Sequence, residues 1–164
     1  MDYFDDFGKF CKALRTNGAF LVVNAEGRTN VMTIGWAQIG VVWSRPVMTV
    51  LVRSSRFTHG FMGKAGYFTV CAPQEGGMRK ELAFCGSKSG RDFDKVAECG
   101  LSLGTGPHEE LKYIKGSELV YECKKLEHAR MLPETLAQTV KASYYGDGDY
   151  HTIYFGEILS AHKG

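Results

Sequence analysis

Two polar stretches hold the residue types that could do chemistry. The first is "LVRSSRFTHGFM", Leu51 to Met62, in which an apolar, β-branched run ends in Arg53, Ser54, Ser55, Arg56, Thr58 and His59. The second is "CGSKSGRDFDK", Cys85 to Lys95, with Ser87, Lys88, Ser89, Gly90 and Arg91 close together. Arginine offers a planar fork of donors matched to phosphate oxygens, and serine hydroxyls with backbone N–H groups complete such a shell. Each stretch precedes an expected helix, at Thr58 and at Asp92, whose positive end would add to the attraction for an anion. Either stretch alone reads more readily as a solvated turn than as a ligand site. Two of them in one small chain point to a phosphorylated ligand. A third segment, "RTNVMTIGWAQIG", carries Asn30, Thr33, Gly35 and Trp36 within an apolar run. It reads either as a core strand twisted at Gly35 or as an edge where backbone and Thr33 face a flat ring.

Other chemistries lack their signatures. "GSKSGR" does not satisfy the phosphate-loop pattern and is no nucleophile elbow, "GTGPHE" stops short of G-x-G-x-x-G, and "HEELK" is not H-E-x-x-H. The five histidines show no metal-ligand spacing, so no metal is expected. Cys11, Cys71, Cys85, Cys99 and Cys123 contain no C-x-x-C pair and read as reduced thiols, mostly small buried hydrophobes. No partner cysteine is expected beside Cys85.

The elements that must position these stretches are mostly strands. "GAFLVVNA" (Gly18 to Ala25) reads as a strand, with a turn at "EGR" and one long strand through "NVMTIGWAQIGVVW". "PVMTVLVR", "GYFTVCA", "SELVYECKKLEHARM" and "YHTIYFGEILSAH" complete the set. Short helices are predicted over "DYFDDFGKFCKAL", after Thr58, over Gly77 to Phe84, after Asp92 and over "ETLAQTVKA". The 20 glycines, against 4 prolines, suit many turns. The pattern favours a mainly β (α+β) antiparallel barrel or sandwich with peripheral helices over a doubly wound sheet.

The 164 residues fit a single domain over 1–164. A net charge of +2 with no basic tract argues against a nucleic-acid partner. No apolar run is long enough to span a membrane, and "MDYFDDFGKF" lacks the plan of a secretory signal. A cytoplasmic setting is expected.

Taken together, "NVMTIGWAQIGVVWSRPVMTVLVRSSRFTHGFMGKAGYFTVCAP", "ELAFCGSKSGRDFDK" and "YHTIYFGEI" resemble the flavin reductase-like family, in its flavoredoxin-type branch. The resemblance runs from about Gly18 to Leu159. It implies a six-stranded antiparallel Greek-key split β-barrel, a homodimer and a noncovalent FMN at the dimer interface. By motif, Asn30, Thr33, Ile34, Gly35 and Trp36 would line the isoalloxazine. Arg53, Ser55, Arg56 and Thr58 would hold the ribityl phosphate, with Cys85, Gly86, Ser87, Lys88, Ser89, Gly90 and Lys95 closing from the other side. His151 matches a residue near the flavin in related reductases and is the candidate catalytic group. The chain departs from the family at Ser54, often proline there, and at His59 and Gly60. The implied activity is an FMN-dependent oxidoreductase passing electrons from NAD(P)H to a flavin or a redox partner protein. A flavoredoxin-type carrier without nicotinamide turnover, or a non-catalytic flavin-binding module, are the alternatives.

Overall fold

A computed structural model of the chain describes residues 3–164. The elements in chain order are α1 (Phe7–Thr16), β1 (Ala19–Ala25), β2 (Arg28–Ile34), β3 (Ala37–Val42), β4 (Arg45–Arg53), α2 (Phe57–Lys64) and β5 (Tyr67–Ala72). They continue as α3 (Arg79–Ser87), α4 (Lys95–Glu98), β6 (Leu103–Thr105), β7 (Lys112–Ile114), β8 (Leu119–Arg130), α5 (Gln138–Tyr144) and β9 (His151–His162). Among the described residues no helix is long and apolar enough to cross a membrane.

β1 is buried at every position, as its unbroken apolar run requires. It returns through Glu26 and Gly27, both at positive φ, into antiparallel β2. Such two-residue turns match the natural twist of paired strands. Trp43 and Ser44, also at positive φ, join β3 to β4 in the same way.

The long strand expected over 30–43 is divided. Gly35 and Trp36 interrupt it, so that β2 pairs with β1 while β3 pairs with β4. The main sheet therefore has seven strands, in the order β2-β1-β5-β8-β9-β4-β3, instead of the expected six. β2 and β3 end that order on opposite sides, yet only two residues join them. The sheet must curl until its edges approach each other, because Ile34 and Ala37, three steps apart along the chain, can stand no more than about 11 Å apart. No strand ladder closes it among the described residues. Inside the curl lie Leu21, Val23, Met48, Val50, Val52, Phe68, Val70 and Tyr121, with Phe10 of α1 against Tyr121. Phe20, Val22, Val31 and Cys71 face outward and are covered by Leu82 and Cys85 of α3 and Ile114 of β7. The β6–β7 hairpin gave no signal in the sequence, since three-residue strands are too short to show a period.

The helix ends also differ from expectation. α2 begins at Phe57 behind Arg56, so Thr58 lies inside its first turn and does not cap it. α3 starts at Arg79 instead of Gly77, because Gly76 and Met78 hold left-handed backbone that no helix continues through. Asp94, not Asp92, caps α4, its carboxylate accepting from the backbone N–H groups of Val96 and Ala97. α1 begins at Phe7, and Asp2 of the expected helix lies outside the described residues. The expected helix over 134–142 appears shifted to α5.

Candidate functional site

The break between β2 and β3 opens a cavity of ≈210 Å³. Thr33, Ile34, Gly35 and Trp36 line one side, and Leu51, Arg53, Arg56 and His151 the other. Gly35 leaves room, since a Cβ there would meet nothing nearer than Leu14 O at 3.9 Å. Trp36 is 39% exposed, standing edge-on to Tyr144 and 5.0 Å from the His151 ring. The Thr33 hydroxyl donates to Leu82 O at 2.6 Å, which ties β2 to α3. β4 and β9 set Arg53 opposite His151 in register.

His151 is buried, and its Nδ1 lies 2.7 Å from the Tyr145 hydroxyl. Burial, helped by the Arg53 charge, pushes the imidazole down to about 4. It is therefore neutral at physiological pH and can exchange hydrogen bonds without carrying charge.

Beside this cavity lies a niche of ≈90 Å³ lined by Ser55, Arg56, Phe57, Thr58, Ser87, Lys88, Ser89, Gly90, Arg91 and Lys95. It holds four cations and no carboxylate. Lys95 is 4% exposed, and its ammonium donates only to Cys85 O, at 3.0 Å, among the described residues. Burial lowers it to about 8, Cys85 opposing and the Arg56 charge adding to the effect. A buried ammonium with spare donors and no counter-ion marks a place shaped for an anion. Arg56 lines both cavities, donating to Gly86 O at 2.7 Å and Cys85 O at 3.4 Å. Burial lowers its pKa as well. Asn30 donates to Thr58 Oγ1 at 2.7 Å, fixing the start of α2 against β2. Gly90 packs so closely that a Cβ would collide with Asn30 Oδ1 and Phe57.

The remaining polar groups of the first stretch bind elsewhere in the chain. Arg53 donates to Tyr144 O and Asp149 O and reaches Asp147. Asp149 accepts from the Ser54 hydroxyl, the Ser55 hydroxyl and the Ser55 N–H. Burial alone would raise the Asp149 carboxyl, but the bonds from Ser55 and Ser54 and the Arg53 charge together hold it below the usual range. Of the second stretch, Ser87 donates to Ala83 O, Ser89 Oγ accepts from Arg91 N–H, and the Lys88 ammonium stands 5.7 Å from the centre of the Phe93 ring. Cys85 is buried and pushed up to about 12 by that burial, so its thiolate is disfavoured. Contrary to expectation, Cys99 does lie beside it, within side-chain hydrogen-bonding reach.

Asp149 and Tyr145 escaped the sequence reading. "YYGDGDYH" offered a signal for Asp149, an acidic loop ahead of a strand, but nothing showed that it would fold onto Ser54 and Ser55. Arg91 and Phe57 sat within the quoted stretches without being assigned.

Residues 14–164 match the sequence profile of the flavin reductase like domain. The chain belongs to the flavin reductase-like family. An uncharacterised relative, YddH of Escherichia coli, is 31% identical over 135 residues, covering 82% of this chain and 62% of its own length. The flavoredoxin of Methanosarcina acetivorans has the same fold, with TM-score 0.71 and 26% identity over 89% of this chain and 67% of that one. An FMN-binding protein of Thermus thermophilus, crystallised with p-hydroxybenzaldehyde, gives TM-score 0.69 and 25% identity over 89% and 70%. The curled, antiparallel fold is thus the flavin reductase-like, FMN-binding type.

Proposed function

We propose that this chain is an oxidoreductase that binds FMN noncovalently and passes electrons from NAD(P)H to a flavin or protein acceptor. The observation that carries the reading is Lys95, a buried ammonium without a counter-ion in a cationic niche next to the cavity at the β2–β3 break. The residues fit FMN. Arg56, Lys95, Ser87, Ser89 and Thr58 would hold its phosphate, and the segment from Thr33 to Trp36 would lie along its ring. Asn30 and Gly90 keep that niche in shape. Bound FMN would supply the two-electron chemistry, accepting hydride from the reduced nicotinamide. His151, neutral and fixed by Tyr145, is placed to exchange a hydrogen bond with a ligand in the ring cavity. Arg56, shared by both cavities, contributes positive potential to phosphate and ring alike.

A homodimer belongs to this reading. The exposed Val41 and Trp43 near the β3 edge support it, since large apolar side chains on an edge strand are usually covered. The five free cysteines support a reducing, cytoplasmic setting. The similarity to a flavoredoxin favours, as second reading, an electron carrier that never meets a nicotinamide.

Titration of the protein with FMN should quench flavin fluorescence at a one-to-one endpoint, and an absence of binding would overturn the reading. Anaerobic mixing with NADH and with NADPH then separates reductase from carrier. The flavin should bleach with at least one. If it bleaches only with a low-potential chemical donor, the carrier stands.

A further inference from the structure

Tyr145 lies in the excursion between β8 and β9, which the first polar stretch holds in place. The Arg53 guanidinium donates to Tyr144 O at 2.8 Å and to Asp149 O at 3.0 Å, on either side of Tyr145. Its central carbon stands 5.4 Å from the centre of the Tyr145 ring, and Tyr150 stacks on that ring at 5.0 Å. Tyr145 itself is 3% exposed, and its hydroxyl meets His151 Nδ1 at 2.7 Å. The bonds that tie Arg53, Ser54 and Ser55 to this loop thus lead to a single contact with the imidazole of the ring cavity.

That contact decides where the imidazole carries its hydrogen. His151 is neutral at physiological pH, so only one of its ring nitrogens is protonated. Burial raises the pKa of the Tyr145 hydroxyl, which therefore keeps its own proton. Among the described residues that proton has no acceptor other than Nδ1. Were Nδ1 the donor, the buried O–H would be left unpaired, which costs more than the bond itself contributes. Tyr145 donates, Nδ1 accepts, and the imidazole hydrogen sits on Nε2. Nε2 is accessible, has no partner among the described residues, and belongs to a side chain that lines the cavity beside Trp36.

We propose that Tyr145 is a positioning residue: it fixes His151 as an Nε2–H donor in the ring cavity, and that donor favours reduced over oxidised flavin. The inference rests on the reading that the ring of FMN lies in this cavity. A hydride from a nicotinamide brings two electrons and one proton, so the ring gains one negative charge and the nicotinamide is left oxidised. A fixed N–H dipole stabilises that charge more than it stabilises the neutral ring. A nitrogen lone pair in the same place would oppose it. Arg53 contributes twice, since its hydrogen bonds hold the Tyr145 loop and its charge helps to keep His151 neutral.

The first test needs no flavin. Nitrogen-15 resonances of the ligand-free protein at neutral pH should show His151 protonated at Nε2 alone. Protonation at Nδ1 would overturn the inference whether or not FMN binds. The second test reads the midpoint potential of bound FMN. His151→Leu should weaken reduced FMN about tenfold relative to oxidised FMN, lowering the two-electron potential by about 30 mV. Tyr145→Phe keeps the stacked ring but loses the hydroxyl, and should mix the tautomers and lower the same ratio about threefold, or about 14 mV. His151→Gln supplies an amide donor that has no tautomers, and in that background Tyr145→Phe should leave the potential unchanged. An unchanged potential in His151→Leu overturns the inference. So does an equal shift from Tyr145→Phe in both backgrounds, which would make Tyr145 a packing group only. Failure of FMN to bind overturns the underlying flavin reading instead, while the resonances still decide the tautomer.

Discussion

The two polar stretches look alike as strings of arginine, lysine and serine, yet the fold treats them differently. In the first, Arg53, Ser54 and Ser55 are bound by the 144–149 loop, with Asp149 at the centre. In the second, no carboxylate lines the niche, and Lys95 is buried beside Cys85 with donors to spare. Arg56 belongs to the first stretch by sequence and to the second by position, since it bonds the carbonyls of Cys85 and Gly86. A run of donors becomes a binding site only where the chain brings no acceptor of its own. The first stretch is mostly a brace, and the second lines a cationic niche that no carboxylate neutralises.

The largest effect that tests this contrast is Arg56→Ala. It should weaken FMN by about a hundredfold, roughly 3 kcal/mol for a desolvated charged hydrogen-bond donor, with little change for riboflavin. Equal losses for both ligands would place Arg56 in the brace. Next comes Asp149→Ala, which removes three hydrogen bonds and one of the two carboxylates beside Arg53. Destabilisation of about 2 kcal/mol is expected from a denaturant midpoint, lessened by partial exposure. If FMN instead bound more tightly, the freed serines and Arg53 would be ligand groups and the contrast would fail.

A smaller effect should appear in pH dependence. Lys95 is lowered to about 8 by burial, so the free protein loses this charge as the pH rises through that value. An anion favours the charged form, and FMN affinity should fall by up to about tenfold for each pH unit above it. Lys95→Met should flatten the profile, and riboflavin should show no such slope. The smallest effect concerns His151. Its ionisation, read from the imidazole proton resonances, should fall near pH 4. Because the folded value lies below the ordinary 6.5, the unfolded chain takes up the proton first. The stability linked to His151 is thus complete above 6.5 and declines as the pH falls towards 4. Tyr145→Phe should move the resonances while leaving the cationic niche untouched.

Much of this molecule was legible in residue order. The apolar run of β1, the turn at Glu26 and Gly27, and the strands β4, β5, β8 and β9 follow from alternation, β-branching and turn residues acting over a few positions. The two donor-rich stretches also stood out by composition. What residue order left undetermined depends on partners far away in the chain. The pause at Gly35 and Trp36 became a strand break because β2 and β3 pair on opposite edges of a curled sheet. Thr58 became an acceptor for Asn30 rather than a helix cap, and Cys99 came to rest beside Cys85.

Sequence alone determined which side chains were available: the donors, their local spacing and the strands that carry them. Tertiary structure decided which donors remained uncommitted. Whether an arginine or lysine is neutralised depends on the nearest carboxylate in space, and Coulomb energy takes no account of the order of residues along the chain. That is why Arg53 and Lys95, equally charged on the page, end as a brace and as a buried ammonium without a counter-ion.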